Sequence, residues 1–191
     1  MSVDPRLPPE LRTRAANVRL LVLDADGVLT DGRLYYGEAG EVLKAFHARD
    51  GLGLRLLRNE GVQLAVISGR AAPALARRLA ELRVHHVLLG RDDKRAALDE
   101  CLSMAKVSAD ETAFVGDDVI DLLGMRAVGM SIAVADAHWQ VRREAAWVTQ
   151  LPGGQGAVRE VADALLAARG RLDAAIEELL RDHVGRGESL Q

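Results

Sequence analysis

Residues 19–32 read RLLVLDADGVLTDG, and this stretch decides the fold. An apolar run, VRLLVLD (18–24), stops at Asp24. A second acid, Asp26, follows two places later, and Gly27, Thr30, Asp31 and Gly32 then supply turn chemistry. The run is apolar on both alternating faces, as expected of a strand covered on both sides. The same kind of run recurs at VQLAVIS (62–68), HHVLL (85–89), TAFVG (112–116) and MSIAVA (130–135), and more weakly at AWVT (146–149). Between the runs lie amphipathic stretches of helical length and period, at 52–60, 72–82, 93–105, 119–127 and 138–144. Strand alternating with helix predicts an α/β fold: a doubly wound, mainly parallel, Rossmann-like sheet with helices on both faces.

Residues 156–169 read as a closing helix ended by Gly170, and 171–184 as one more amphipathic helix. The last residues, 185–191, are expected to fray. One segment breaks the alternation. TDGRLYYGEAGEVLKAFHARD (30–50) holds two β-prone stretches around GEAG and predicts a projecting hairpin, 32–37 paired with 41–47. The 191 residues thus make one domain (1–191) with that hairpin and a C-terminal helix and tail at 153–191.

Composition narrows the functional classes. The net charge is −3 and aromatics are only 3%, which argues against a nucleic-acid binder, so any anionic ligand must be drawn by a local basic cluster. No apolar run approaches the ~20 residues of a membrane span, and residues 1–17 lack a signal-type apolar stretch. Cys101, the single cysteine, lies on an apolar helix face and is expected in the core. With no intramolecular disulfide possible, a cytoplasmic protein is expected.

Ligands of an open parallel sheet bind outside the carboxyl ends of its strands. The first run ends in Asp24 and Asp26, the second in Ser68, Gly69 and Arg70, the third leads to Lys94, and the fourth ends in Asp117, Asp118 and Asp121. Taken singly, each has an ordinary explanation. D-x-D-G is a common turn, Ser68 a good helix N-cap, Lys94 a surface lysine, and Asp117 and Asp118 helix caps. Four strand ends carrying these groups in this order point to a site. Clustered carboxylates with no His or Cys suit a hard cation, Mg²⁺ being the common one. Asp24 is then placed to attack phosphorus and Asp26 to move the proton, with Lys94 and Ser68 on the phosphoryl oxygens. Backbone amides after Ser68, at a helix start, would add anion donors.

DADGVLTDG (24–32), ISGR (67–70), Lys94 and GDDVID (116–121) resemble the four motifs of the haloacid dehalogenase superfamily. The resemblance implies a nucleophile at Asp24 and an acid/base at Asp26. It places Mg²⁺ on the Asp24 and Asp117 side chains and the Asp26 carbonyl, with Asp118 and Asp121 supporting. Asp at position 26 implies a hydrolase or mutase. The intervals between motifs leave little room for an inserted cap domain, which disfavours a mutase and implies either a large substrate or a neighbouring subunit that covers the site.

DGVLTDG, the hairpin ending in FHARDGLG, VADAH (134–138) and GGQGAVREV (153–161) are more narrowly similar to the capless 3-deoxy-D-manno-octulosonate 8-phosphate phosphatases. That similarity implies Mg²⁺-dependent hydrolysis of this sugar acid phosphate in lipopolysaccharide precursor synthesis. It also implies a homotetramer assembled through the hairpins, with the tail folding over a neighbour's site. The substrate would lie against Asp26, His47, Ala48, Arg49, Asp50, Gly51, Arg55, Gly69, Arg70, Arg78 and Lys94. His138 is a candidate for support of the metal edge, while His85 and His86 read as structural. Two positions depart from the pattern: DLLGM (121–125) lacks the usual proline, and Gln155 stands where the tail usually has Arg. Two rival functions remain at this level: the same chemistry on a nine-carbon keto-acid phosphate, and a non-catalytic oligomeric scaffold that binds sugar phosphate.

Overall fold

The structure, a computed structural model, describes residues 7–38 and 40–188, with side chains as far as Arg181. The first apolar run forms β1 (Leu20–Leu23), all four residues buried. The later runs form β4 (Gln63–Ser68), β5 (His86–Leu89), β6 (Thr112–Gly116), β7 (Met130–Ala133) and β8 (Trp147–Val148). The hairpin supplies β2 (Tyr35–Gly37) and β3 (Gly40–Leu43) as a separate two-stranded sheet. The main sheet has the order β5-β4-β1-β6-β7-β8, and every pairing in it is parallel. The chain winds from β1 through β4 to one edge, then crosses to β6 and winds to the other. Its direction therefore reverses beside β1 and β6, where an open α/β sheet forms its ligand crevice.

The helices are α1 (Arg12–Asn17), α2 (Ala48–Asn59), α3 (Pro73–Glu81), α4 (Lys94–Ala105), α5 (Leu122–Met125), α6 (Trp139–Glu144), α7 (Ala157–Ala168) and α8 (Leu172–Glu188). Two layers cover the sheet. On one, α2 packs on β4, α7 and α8, and α7 on α1. On the other, α4 packs on β4, β5 and α5. Leu20, Leu21, Leu23, Ile67 and Phe114 fill the core between them. Cys101 is buried with them, and burial pushes its thiol up to about 11. Among the described residues no helix is long and apolar enough to cross a membrane.

Three local features differ from the sequence expectation. The hairpin ladder is shorter and shifted: Tyr35 faces Leu43, Tyr36 faces Glu41 and Gly37 faces Gly40, with a bulge between Tyr35 and Tyr36. Residues 44–47 leave the ladder because Lys44 turns inward and is buried. α8 runs on to Glu188, past the expected end at 184, while 189–191 lie outside the described residues. A 3-10 turn (Pro9–Leu11) and α1, not anticipated, bury Leu11 and Ala15, and Leu7 just ahead of them is buried as well. Their four-residue spacing is a helical signal, masked by the polar residues around it.

Candidate active site

The stretch after β1 is a compact turn. Leu29 and Thr30 donate their backbone N–H groups to the Ala25 carbonyl at 3.0 and 3.1 Å. The buried Thr30 Oγ1 accepts from the backbone N–H of Gly27 and of Gly32. Gly27 sits at φ +96°, and a Cβ there would lie 2.1 Å from Asp117 Oδ2. Only glycine both takes that backbone angle without strain and lets the β6 carboxylate approach. The turn sends the two acids of DADG to different partners.

Asp24 points into a buried cluster. Its Oδ1 accepts a short hydrogen bond from Lys94 Nζ, which also donates to the Ile67 carbonyl at 2.7 Å. Lys94 Nζ lies 3.2 Å from Asp121 Oδ1, and the lysine is 2% exposed. The sequence places this lysine by capping: the Asp93 side chain accepts from the N–H groups of Arg95 and Ala96, starting α4 at Lys94. Asp121 Oδ2 accepts from the backbone N–H of Asp117 and of Asp118 at 3.0 and 3.3 Å, so it holds the β6 exit loop. Asp118 is exposed and caps the following 3-10 turn through Val119 N–H.

Carboxylate oxygens of Asp24, Asp117 and Asp121 lie within 4.8 Å of one another. One buried ammonium faces three carboxylates, leaving negative charge uncompensated. Burial, then the Asp121 charge, raises the Asp24 carboxyl to about 7. Burial, then Asp24 and Asp121, raises Asp117 to about 8. Burial alone would lower Lys94, but the Asp24 and Asp121 charges outweigh it and raise it. Asp117 Oδ1 is buried with no hydrogen-bond partner. An unpartnered carboxylate oxygen in an oxygen-only cluster of excess negative charge fits a hard divalent cation.

Asp26 faces the hairpin. Its Oδ1 accepts a short bond from Lys44 Nζ, and its Oδ2 lies 3.7 Å from Arg70 Nε. Lys44 also reaches Glu41 Oε1 at 2.7 Å, and Arg70 reaches Glu41 Oε2 at 3.1 Å and the Tyr36 hydroxyl at 2.9 Å. Lys44, Glu41 and Tyr36 were not anticipated. The available signal was a lysine set among apolar residues in EVLKAF, three places after an acid.

Comparison with known proteins places this architecture. Residues 84–160 match the model of the haloacid dehalogenase-like hydrolases. Over 167 residues, 87% of this chain and 89% of the relative, the sequence is 46% identical to the 3-deoxy-D-manno-octulosonate 8-phosphate phosphatase KdsC of Salmonella typhimurium. The chain belongs to the 3-deoxy-D-manno-octulosonate 8-phosphate phosphatase family. The crystal structure of the Yersinia pestis phosphatase is 44% identical, with a TM-score of 0.85 over 87% of this chain and 90% of that one. The Moraxella catarrhalis phosphatase, solved in complex with magnesium ion, phosphate ion and KDO, is 37% identical. Its TM-score is 0.86 over 89% of this chain and 98% of that one.

Several of the residues singled out in the sequence also have duties within the chain. Ser68 does not cap a helix: its Oγ accepts from Arg70 N–H at 3.1 Å, and α3 begins at Pro73 behind an Ala72 N-cap. Amides at a helix start are therefore not next to Ser68. Asp50 is buried and accepts from Arg159 N–H at 2.8 Å, holding the first turn of α7. Gly51 lets Arg78 pass, since a Cβ would lie 2.5 Å from Arg78 Nη2. His47 is half-buried ahead of α2, Ala48, Arg49 and Gly69 are exposed, and Arg55 is half-buried. His138 does not face the acids: its Nδ1 accepts from Gln140 N–H, while its backbone N–H holds the Asp117 carbonyl at 2.7 Å. His85 and His86 bond Leu64 N–H and the Gln63 side chain, as structural residues do.

The Gly153–Gly154 turn lies against the chain's own site loop. Gly154 N–H donates to the Val28 carbonyl, and a Cβ on Gly153 would lie 1.6 Å from the Gly27 carbonyl oxygen. Asp136 of VADAH fixes the turn by accepting from Gly153 N–H at 2.9 Å.

Proposed function

We propose that the protein is a Mg²⁺-dependent phosphomonoesterase that hydrolyses 3-deoxy-D-manno-octulosonate 8-phosphate to the free sugar acid and phosphate. One observation carries this: the buried Asp24–Lys94–Asp117–Asp121 cluster at the sheet's reversal point, in a chain of this family. The Moraxella catarrhalis relative, solved with magnesium, phosphate and KDO, supports the choice of cation and substrate.

Asp24 attacks phosphorus through a carboxylate oxygen, forming an aspartyl-phosphate as the P–O bond to the sugar breaks. Asp26 gives a proton to the departing alkoxide. It then takes one from the water that attacks the acyl phosphate, releasing phosphate and restoring Asp24. Lys94 fixes the orientation of Asp24 and offsets charge on the transferring group. Ser68 spends its acceptor on Arg70 N–H, leaving its hydroxyl proton for a phosphoryl oxygen. Asp24, Asp117 and the Asp26 carbonyl would hold Mg²⁺, which when bound supplies positive charge to the phosphoryl oxygens. Asp121, engaged by two amides and Lys94, and Asp118 support this set. Arg70 meets the sugar acid at the mouth, with Arg78, Arg55, Arg49, His47 and the backbone of Ala48, Gly51 and Gly69 extending the surface. Asp50 supports it from beneath through α7.

The site opens beside a hairpin whose Tyr36, Val42 and Leu43 are exposed. These side chains support a homotetramer in which hairpins meet and neighbouring subunits cover the site. A lone buried thiol suits a cytoplasmic enzyme. The test is phosphate release from a panel of eight- and nine-carbon sugar acid phosphates, with Mg²⁺ and with EDTA. The eight-carbon substrate is expected to give the highest kcat/KM, EDTA to abolish release, and Asp24→Asn to be inactive with fold intact. Full activity of Asp24→Asn would sink the mechanism. Preference for a nine-carbon substrate would overturn the specificity, and no metal-stimulated release would favour the scaffold.

A further inference from the structure

A cavity of about 290 Å³ lies on the flank of the domain, lined by Gly51, Arg55 and Arg58 of α2 and by Glu81, Leu82 and Arg83 at the end of α3. None of the carboxylates of the catalytic cluster lines it, though Gly51 and Arg55 also belong to the surface proposed for the sugar acid, so the test rests on Arg58 and Arg83, which do not. Its α3 residues close the end of the helix opposite Pro73, about 12 Å along the axis from the end that follows the Ser68–Arg70 turn.

Three guanidinium groups converge there without an acidic partner. Among the described residues Arg55, Arg58 and Arg83 make no ion pair. The one acid in the lining, Glu81, is already taken by Arg77 and Arg78, each at 3.4 Å. Arg58 Nη1 is anchored on the Leu82 carbonyl at 2.8 Å, which fixes its plane and leaves its other N–H groups free. Burial, then the nearby Arg83 and Arg55 charges, pushes the Arg58 guanidinium down from its ordinary value. The lining thus carries three arginines and one glutamate that two further arginines already engage, in a chain whose net charge is −3.

Arg83 adds a second argument. It sits just past the end of α3 at φ +54°, a left-handed conformation that glycine takes freely and a side chain takes at a cost. Lys106 takes the same conformation past α4, and at Arg83 it sets a third guanidinium beside a cavity that already has two. Charges that repel one another, one of them on a strained backbone, are stabilised when an anion joins them.

We propose that this cavity is a second anion site, apart from the carboxylate centre, for a small molecule carrying two or more phosphate charges. A single phosphate is small for three guanidinium groups spread around this volume, whereas a diphosphate can engage them together. The forked donors of arginine suit phosphate oxygens in pairs.

Calorimetric titration of the metal-free enzyme in EDTA at pH 9 with inorganic pyrophosphate tests this, since the carboxylates of the catalytic centre are then ionised and repel anions. Saturable binding of one pyrophosphate per chain is expected, tighter than phosphate and weakened by added NaCl. Arg58→Leu and Arg83→Gly should each weaken it about tenfold, and the double variant should lose it. Arg83→Gly relieves the backbone, so it should melt no lower than the parent. With Mg²⁺ and the sugar acid phosphate, both variants should keep kcat and KM within about twofold, a difference of only ~0.4 kcal/mol. Absence of saturable binding, or equal binding by the double variant, overturns the proposal. A raised KM in both variants also overturns it, because the cavity would then belong to the substrate path. The binding readout needs no turnover, so it stands or falls separately from the phosphatase activity.

Discussion

Asp24 shows why a buried strand can end in an acid. Isolated in this environment, its carboxylate would be costly; beside Lys94 it is half compensated, and beside Asp117 and Asp121 it is overloaded again. The remaining negative charge is what a cation would neutralise. This gives a pH dependence of definite sign. In the metal-free fold Asp24 is raised to about 7 and Asp117 to about 8, against 3.8 for the unfolded chain. The native state then holds protons that the unfolded state has released. The stability these two groups contribute is present below about pH 4 and is lost as pH rises towards 8. Mg²⁺ competes with the same protons, so its binding tightens over that range. The gain in melting temperature between EDTA and Mg²⁺ should therefore be small at pH 5.5 and grow steadily to pH 8.5. A gain independent of pH would rule out these carboxylates as the ligands.

At the scale of elements, the hairpin is more than a projection. Its second strand runs into Lys44, which leaves the ladder to bridge Glu41 and Asp26, and Arg70 bridges the same two acids from the β4 exit. Burial alone would lower the Lys44 ammonium, but hydrogen bonds to Asp26 and Glu41 hold it raised. Lys44 is thus a positioning residue for Asp26. Lys44→Met keeps the stem and removes the charge, so the ladder should form as before. We expect kcat to fall about 10- to 100-fold with KM within about twofold, the pattern of a group that matters to the proton step more than to binding. An unchanged kcat would leave Lys44 a purely structural tie. The local sequence carried one weak signal for this network, the lysine of EVLKAF, and the strand pattern around it spoke louder. The segment 41–47 reads as strand because Val42, Leu43 and Phe46 are β-prone, whereas the buried ion pairs of Lys44 override that pattern. Ser68 misled in the same way: hydroxyl chemistry suits an N-cap, but Pro73 starts α3 five residues later because proline supplies the helical φ without needing an N–H partner.

At the scale of the whole molecule, the sheet was legible because parallel strands buried on both faces are apolar throughout, and these runs are too short and too closely bounded by turn residues to be buried helices. The strand ends were legible for the same reason, since a carboxylate after such a run is conspicuous. Contacts set by distant residues stayed hidden, such as Asp50 on α7 and Gly153 on Gly27. What the single chain leaves exposed bears on assembly. Leu34, Tyr36, Val42 and Leu43 are 45–64% exposed on a three-residue ladder that packs against little else. An apolar patch on a short two-stranded hairpin is marginal in water, and burying it against copies of itself removes both liabilities. Val42→Asp places a charge in that patch without touching Lys44 or Glu41. Light scattering after gel filtration should then show the parent at the mass of a tetramer and the variant at a smaller mass. Metal-dependent activity should fall with it, because the proposed cover by a neighbouring subunit is lost. A variant that dissociates and keeps full kcat/KM would separate assembly from catalysis. A parent that is already monomeric would remove the hairpin's proposed role altogether.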